Sequence, residues 1–332
     1  MEKIIHTPTN SKLKKDLLVL NYLQKNGPKS RVDLSTQLNL TKAAITAITN
    51  DMIKTGVLLE KGEQVKQKAT HSRGRRKILL DINENYKLVF GVVIEKENMF
   101  FGLTNLKGQV LDKRKMCFKG KNYHELLELI VLNIGTIMKN NCITNENVLA
   151  LGVCLSNNCG ELIEGVKSKD KIMRLRKDLA HAMPIKIITN TTIASSLVAQ
   201  RIFAGENSNS VLLLRYGDEA ESGIMIDGKI YSGFTGNAGG FLGILGDNIG
   251  ENEQLASAII TCNTVLDTQK IYCFGNQFED EANFVNIQEI IVKYGYKKLL
   301  LQHAIVTNDT AFLAPCAEAI DCYFYVNHLI KY

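Results

Sequence analysis

The sequence contains no C-x-x-C pair and no cluster of His and Cys, and no apolar run reaches the ~18 residues a membrane-spanning helix needs. These gaps argue against a bound metal, a dithiol redox site and a membrane protein. No cofactor motif compensates for them, so neither a metal nor a cofactor is expected. The eight cysteines are Cys117, Cys142, Cys154, Cys159, Cys262, Cys273, Cys316 and Cys322. They read as reduced, mostly buried thiols of a cytoplasmic protein. The opening residues, MEKIIHTPTN, lack the apolar core of a signal peptide, which points to the same compartment.

What is present is an ordinary globular composition with an uneven charge. The chain has 332 residues, 45% hydrophobic and 22% charged, enough for two or three domains. Residues 1–80 hold 16 Lys and Arg against 6 Asp and Glu, a charge of +10; the remaining 252 hold 24 against 28, a charge of −4. A basic module on a mildly acidic body suggests that one part of the chain meets a polyanion.

Within that basic module, Leu13, Leu17, Leu20 and Leu23 recur at helical spacing, and Gly27-Pro28 stops the helix. Ser30 is a natural N-cap for a second, short helix with Leu34 and Leu38 inward. Asn39-Leu40 makes a tight turn. Thr41 then caps a third helix with Ala44, Ile45, Ile48 and Met52 inward, ended by Gly56. Helix, short helix, turn, helix is a helix-turn-helix pattern, shared with some protein-docking hairpins. As a recognition helix, the third would present Lys42, Ala43, Thr46 and Asn50 to the major groove. These residues are small or polar and permit close approach to base edges.

Two short apolar runs follow, Val57-Leu58-Leu59 and Ile78-Leu79-Leu80. The segment between them carries Lys61, Lys66, Lys68, His71, Arg73, Arg75, Arg76 and Lys77. A basic hairpin after a recognition helix is a wing. Arg73-Gly74-Arg75-Arg76 suits a narrow minor groove, with Gly74 permitting close backbone approach; a solvated charge run is the plain alternative. Through Ser30-Arg31, Leu34, Leu40-Thr41-Lys42, Ile53, Gly56 and Gly74-Arg75-Arg76, the run from Asn10 to Leu80 resembles the N-terminal domain of repressors in the ROK family (repressors, open reading frames and sugar kinases), whose members include xylose and N-acetylglucosamine repressors.

In the remainder, 88–103 reads as two strands and a turn, and Val110 begins a third strand. Residues 123–139 form a helix with Leu126, Leu129, Ile130, Ile134 and Ile137 on one stripe. Further strands are expected at 149–153, 185–188, 211–214 and 223–226, with a helix from Thr192 to Phe203. Alternating strands and helices make an α/β body. The ROK resemblance extends to about residue 325 through Gly223-Ile-Met-Ile-Asp-Gly-Lys-Ile-Tyr-Ser-Gly233, Gly236-Asn-Ala-Gly239, Asn263 to Tyr272 and Phe274-Gly275. It implies a two-lobed, sugar-kinase-like body of the actin/hexokinase type.

Judged against that resemblance, the chemistry is eroded. Val93 and Glu95 stand at the acidic and glycine positions of the family's phosphate loop, and a carboxylate aimed at a triphosphate repels it. Asn190-Thr191 stands where the kinases place an Asn and their catalytic base, and Thr191 cannot serve as that base near neutral pH. Gly240 and Gly243 replace the sugar-binding Glu and zinc-binding His, and the zinc-binding cysteine cluster is missing from 244–262.

The expectation is a winged helix-turn-helix (1–82) fused to ROK-like α/β lobes (83–200 and 201–332), the last with a dimerisation role. The chain is read as a catalytically inactive, sequence-specific regulator, most simply a repressor, that does not bind free sugars in the family manner. Its DNA-binding residues are Ser30, Arg31, Thr41, Lys42, Ala43, Thr46, Asn50, Arg73, Gly74, Arg75 and Arg76. Asn190, Thr191, Asn237, Gly240 and Gly243 outline a degenerate ligand pocket. The partners expected are an A·T-rich inverted repeat of double-stranded DNA and a second copy of the chain or a higher homo-oligomer. Three alternatives stay open: a repressor sensing a non-standard ligand such as a sugar phosphate, met by the basic stretch Lys167, Lys169, Lys171, Arg174 and Arg176; a regulator with no effector; and a sugar kinase with an accessory domain.

Overall fold

The computed structural model describes residues 10–63, 77–95, 98–118, 122–156, 168–234, 238–245 and 252–324. Two compact units emerge. One is Met1–Lys87 with Asp321–Tyr332; the other is Leu88–Ile320.

In the first unit, α1 (Asn10–Asn26), β1 (Lys29–Ser30), α2 (Arg31–Gln37) and α3 (Lys42–Lys54) precede β2 (Leu58–Glu63) and β3 (Ile78–Ile82). The three strands form an antiparallel sheet in the order β1-β3-β2. Leu17, Leu20, Leu23, Leu34, Ile45, Ile48, Met52, Leu58, Leu80 and Ile82 are buried, so the apolar stripes of all three helices meet the sheet in one core. Leu38 is only half-buried, because it caps the end of α2. α3 ends in a Schellman motif. The Val57 N–H bonds to Met52 O and the Gly56 N–H to Ile53 O, with Gly56 at φ 80°, a conformation cheap only for glycine.

The second unit contains two five-stranded sheets. The first has β4 (Leu88–Ile94), β5 (Asn98–Thr104), β6 (Val110–Cys117), β7 (Val148–Leu155) and β8 (Ile187–Thr191) in the order β6-β5-β4-β7-β8. The second has β9 (Ser210–Arg215), β10 (Glu221–Ile226), β11 (Lys229–Ile230), β12 (Lys270–Phe274) and β13 (Leu301–His303) in the order β11-β10-β9-β12-β13. Each is an antiparallel three-strand meander whose first strand also pairs in parallel with the fourth, which pairs with the fifth. The topology is therefore duplicated, although no sequence motif repeats.

Helices α4 (Tyr123–Asn140) and α5 (Ser168–Ala182) cover one face of the first sheet, packing Ile130, Ile134, Leu175 and Leu179 on Phe90, Phe101 and Val153. α5 falls on the segment read from sequence only as a basic stretch. The opposite face receives the start of α10 (Leu313–Phe324). The approach here is close: a Cβ at Gly91 or Gly152 would run into the carbonyl oxygens of Phe312 and Pro315. In the second lobe, α7 (Asn252–Leu266) and α9 (Glu281–Lys293), the latter after the short α8 (Asn276–Glu279), pack Leu255, Ile259, Ile287 and Ile291 on Leu212, Leu214 and Ile271. α6 (Thr192–Phe203) links the lobes in the chain and lies against β10.

Two expectations need correction. The strand expected at 185–188 runs instead from Ile187 to Thr191. The thiols are not mostly buried: of the seven in described residues, Cys154, Cys273 and Cys316 are buried, whereas Cys117 and Cys142 are exposed. Cys117 ends the edge strand β6 on its outward side, and Cys142 lies in a left-handed turn after α4.

Candidate nucleic-acid interface and interlobe cleft

Ser30 organises the start of α2. Its hydroxyl accepts from the Asp33 N–H (3.2 Å) and donates to the Asp33 carboxylate (2.7 Å), which also accepts from the Ser30 N–H (3.3 Å), a reciprocal capping box. Lys77, at the foot of β3, closes on Asp33 at 2.8 Å. Those hydrogen bonds, Lys77 first and Ser30 second, outweigh partial burial and hold the Asp33 carboxyl below its ordinary pKa. Thr41 caps α3 by accepting from the Ala44 N–H at 3.2 Å. Two rigidly started helices thus fix the face that would meet DNA.

On α3, Lys42, Ala43, Thr46 and Asn50 are exposed together with Ala47, while Ile45, Ile48, Thr49 and Met52 point inward. The Thr46 hydroxyl donates to Lys42 O at 2.8 Å, so its methyl group and lone pairs are what it offers outward. Arg31 does not project freely: it bonds to Thr49, Asn50 and Glu60. β2 and β3 are the two strands of the expected wing, with Lys61 held by the buried Asp81 at 3.1 Å. Arg73, Gly74, Arg75 and Arg76 lie outside the described residues.

In the second unit, Asn190 and Thr191 sit where β8 passes into α6. Asn190 Oδ1 accepts from the Thr191 N–H at 2.8 Å, and Thr191 is the N-cap of α6 with no side-chain cap bond. Gly240 and Gly243 lie in a 3-10 turn, Gly240–Leu245, packed against β10. Asn237 lies outside the described residues. β10 is thus a common neighbour of α6 and of this turn. Beside the turn, Gly239, Phe241, Ile224, Ser257, Thr261 and Cys262 help to line a groove of about 740 Å³ whose walls are largely apolar. Val93, at the family's acidic position, is fully buried in an apolar cluster with Phe100, Cys154 and Ala311.

The residues that sequence reasoning missed lie between the lobes. Arg215 ends β9, almost completely buried, and its guanidinium reaches Glu95, just past β4, at 2.5 Å and Glu221 at 3.7 Å. Ser156, just past β7, donates to Glu219 at 2.6 Å. The turns leaving β4 and β9, equivalent in the duplicated topology, are therefore cross-bonded. Burial works against the charge on Arg215, but Glu95, Glu221 and Glu219 more than offset it, and its pKa is raised further. An arginine closing the apolar strand Val211–Leu214 was the available signal, because a charge there needs partners. Among the described residues, no group of three or more His, Cys, Asp or Glu is placed to hold a metal, and no helix is long and apolar enough to cross a membrane.

Comparison with known proteins matches residues 12–58 to a family model described as winged helix-turn-helix DNA-binding. A putative xylose repressor of Caldicellulosiruptor sp. (strain Rt8B.4) is 26% identical over 230 residues, covering 67% of this chain and 56% of that protein. The xylose repressor of Staphylococcus xylosus is 25% identical over 233 residues, covering 67% and 57%. The chain thus spans little more than half the length of these relatives. Among solved structures, a ROK family transcriptional regulator, a homologue of the E. coli MLC protein, superposes with a TM-score of 0.71 at 16% identity, covering 97% of this chain and 99% of that one. The ROK hexokinase from Thermus thermophilus does so with a TM-score of 0.55 at 13% identity, covering 72% and 99%. At these identities the structural likenesses speak for the fold alone. Taken with the similarity to xylose repressors and the N-terminal motif, they show a winged helix-turn-helix domain joined to a two-lobed α/β body of sugar-kinase-like fold, similar to ROK-family proteins.

Proposed function

We propose that this chain is a sequence-specific, DNA-binding transcriptional regulator, most simply a repressor, that works in the cytoplasm as a homodimer or higher homo-oligomer on an A·T-rich inverted repeat. The observation that carries the reading is the outer face of α3, where Lys42, Ala43, Thr46, Ala47 and Asn50 are exposed on a helix capped at both ends. Small and polar side chains there permit close approach to base edges in a major groove. Ser30 and Thr41 act as caps that also place backbone N–H groups toward phosphates. Arg73, Gly74, Arg75 and Arg76 serve the minor groove.

The body is not a kinase and does not grip free sugars in the family manner. Supporting this, Thr191 caps a helix in place of a catalytic base, Val93 is core, and Glu95 is engaged by Arg215. The named repressors among the relatives favour the same reading. Residues 1–82 are assigned to DNA, 83–200 and 201–332 to the two lobes, and the last of these to dimerisation.

The test is a gel-shift series in the full chain. Arg75→Ala and Arg76→Ala should each weaken binding to all sequences and lower the slope of log affinity against log salt by about one. Lys42→Ala and Thr46→Ala should instead change which bases are preferred. All four variants behaving like the wild type would refute the assignment.

A further inference from the structure

Arg31 is the first residue of α2, yet its guanidinium works outside that helix. Nε donates to Thr49 Oγ1 at 3.0 Å, Nη2 donates to Asn50 Oδ1 at 3.1 Å, and Nη1 and Nη2 both lie 3.3 Å from Glu60 Oε1. Thr49 and Asn50 belong to α3, and Glu60 to β2. One side chain therefore ties the start of α2 to the recognition helix and to the root of the wing. The arrangement is built rather than incidental. The buried Thr49 hydroxyl spends its proton on Ile45 O at 2.8 Å, which leaves an oxygen lone pair for Arg31. The planar guanidinium can then hold its partners in one geometry, which the single ammonium of a lysine cannot do.

This has a consequence for what Asn50 can read. A guanidinium only donates, so the atom of Asn50 that faces it has to be the carboxamide oxygen. The Nδ2 amino group is left as the polar end directed to DNA. Asparagine reads adenine in a bidentate manner with both ends, the oxygen accepting from N6 and the amino group donating to N7. With one lone pair of its oxygen taken by Arg31, Asn50 cannot flip its carboxamide, and the amino group is held toward the base edge. We propose that Arg31 is a positioning residue that sets base specificity. It holds the Asn50 carboxamide in one orientation, which selects edges that offer an acceptor (purine N7, guanine O6 or thymine O4) over cytosine, whose edge offers the N4 donor. Its charge also cancels that of Glu60, a carboxylate otherwise unfavourable beside a polyanion. The inference rests on the DNA-binding reading of α3 and goes beyond it, since Arg31 acts here through Asn50 and not through a phosphate.

The experiment is selection of bound sequences from a randomised duplex pool by the full chain, with thermal melts run in parallel. Asn50→Ala marks the base position that Asn50 reads, as the one whose preference collapses. At that position the wild type should disfavour cytosine by roughly tenfold relative to the other three bases. Arg31→Ala and Arg31→Lys should both free the carboxamide to flip, lose that discrimination and admit cytosine. Arg31→Lys keeps the charge and the aliphatic stem, so it carries the test if Arg31→Ala melts out. Glu60→Gln should keep the wild-type preference and bind more tightly. The inference is overturned if the wild type prefers cytosine at that position, or if both Arg31 variants keep the wild-type preference while losing affinity evenly across sequences, as a phosphate contact would. A wild type that enriches no sequence at all is a distinct result: it overturns the DNA-binding reading itself, and this inference with it.

Discussion

Replacing Arg215 with methionine should be among the most damaging single substitutions in the body. The arginine is 4% exposed at its side chain, Glu221 is 3% exposed and Glu95 17%. Removing the cation takes away the positive charge that acts on Glu95, Glu221 and the nearby Glu219. Breaking a buried ion pair from one side costs ~3–5 kcal/mol, because the stranded charge keeps its desolvation penalty. For a body of this size each kcal/mol lowers the melting temperature by ~2–4 °C, so a drop on the order of 10 °C is expected. Adding Glu95→Gln should recover part of the loss, since it removes one of the stranded carboxylates. The assay is a thermal or urea melt of the full chain for the wild type, both single variants and the double variant. The exposed Lys77–Asp33 pair, 45% and 31% exposed, is the internal control, and Lys77→Met should cost under ~1 kcal/mol. If Arg215→Met costs no more than Lys77→Met, or if Glu95→Gln fails to compensate, the Arg215 ion pairs do not hold these turns together.

On the proposed reading, free glucose, xylose and N-acetylglucosamine should neither bind at millimolar concentration nor release DNA, because Thr191, Gly240 and Gly243 would each take the place of a polar group worth ~1.5–3 kcal/mol. Saturable calorimetric binding below a millimolar would contradict this. Asp33→Asn should weaken the start of α2 by ~1 kcal/mol at neutral pH, as the loss of a capping interaction does. Because the folded-state pKa of Asp33 is lowered, its contribution is complete above the ordinary carboxylate value near 4 and disappears as pH falls through the folded value. The variant and wild-type melting temperatures should therefore converge in acid, and a gap that widens below pH 4 would reverse the sign argued here.

Much of the first unit is legible in the sequence because its determinants are local. The Leu17–Leu20–Leu23 stripe, the caps Ser30 and Thr41 and the terminating Gly56 each act within a few residues, and the helices lie where those signals put them. In the body, α6 runs from Thr192 to Phe203 as its pattern suggests. What stayed hidden depends on residues far apart in the chain. The Arg215–Glu95 pair joins positions 120 residues apart, and no window along the sequence contains both. The duplicated topology leaves no repeated motif in the chain, and only the family resemblance implies two similar lobes. At the recognition helix, Thr49 and Arg31 each carry an ordinary alternative role, as a helix-interior residue and as a phosphate contact. Only their 3.0 Å separation joins them.

The central claim, that the chain recognises particular DNA sequences, is tested most directly by footprinting the untagged protein across its own chromosome. The account predicts a small set of discrete sites that share an inverted repeat with A·T-rich flanks and are lost together when Arg75 and Arg76 are replaced by alanine. Uniform coverage with no shared motif, or sites that persist unchanged in that double variant, would contradict it.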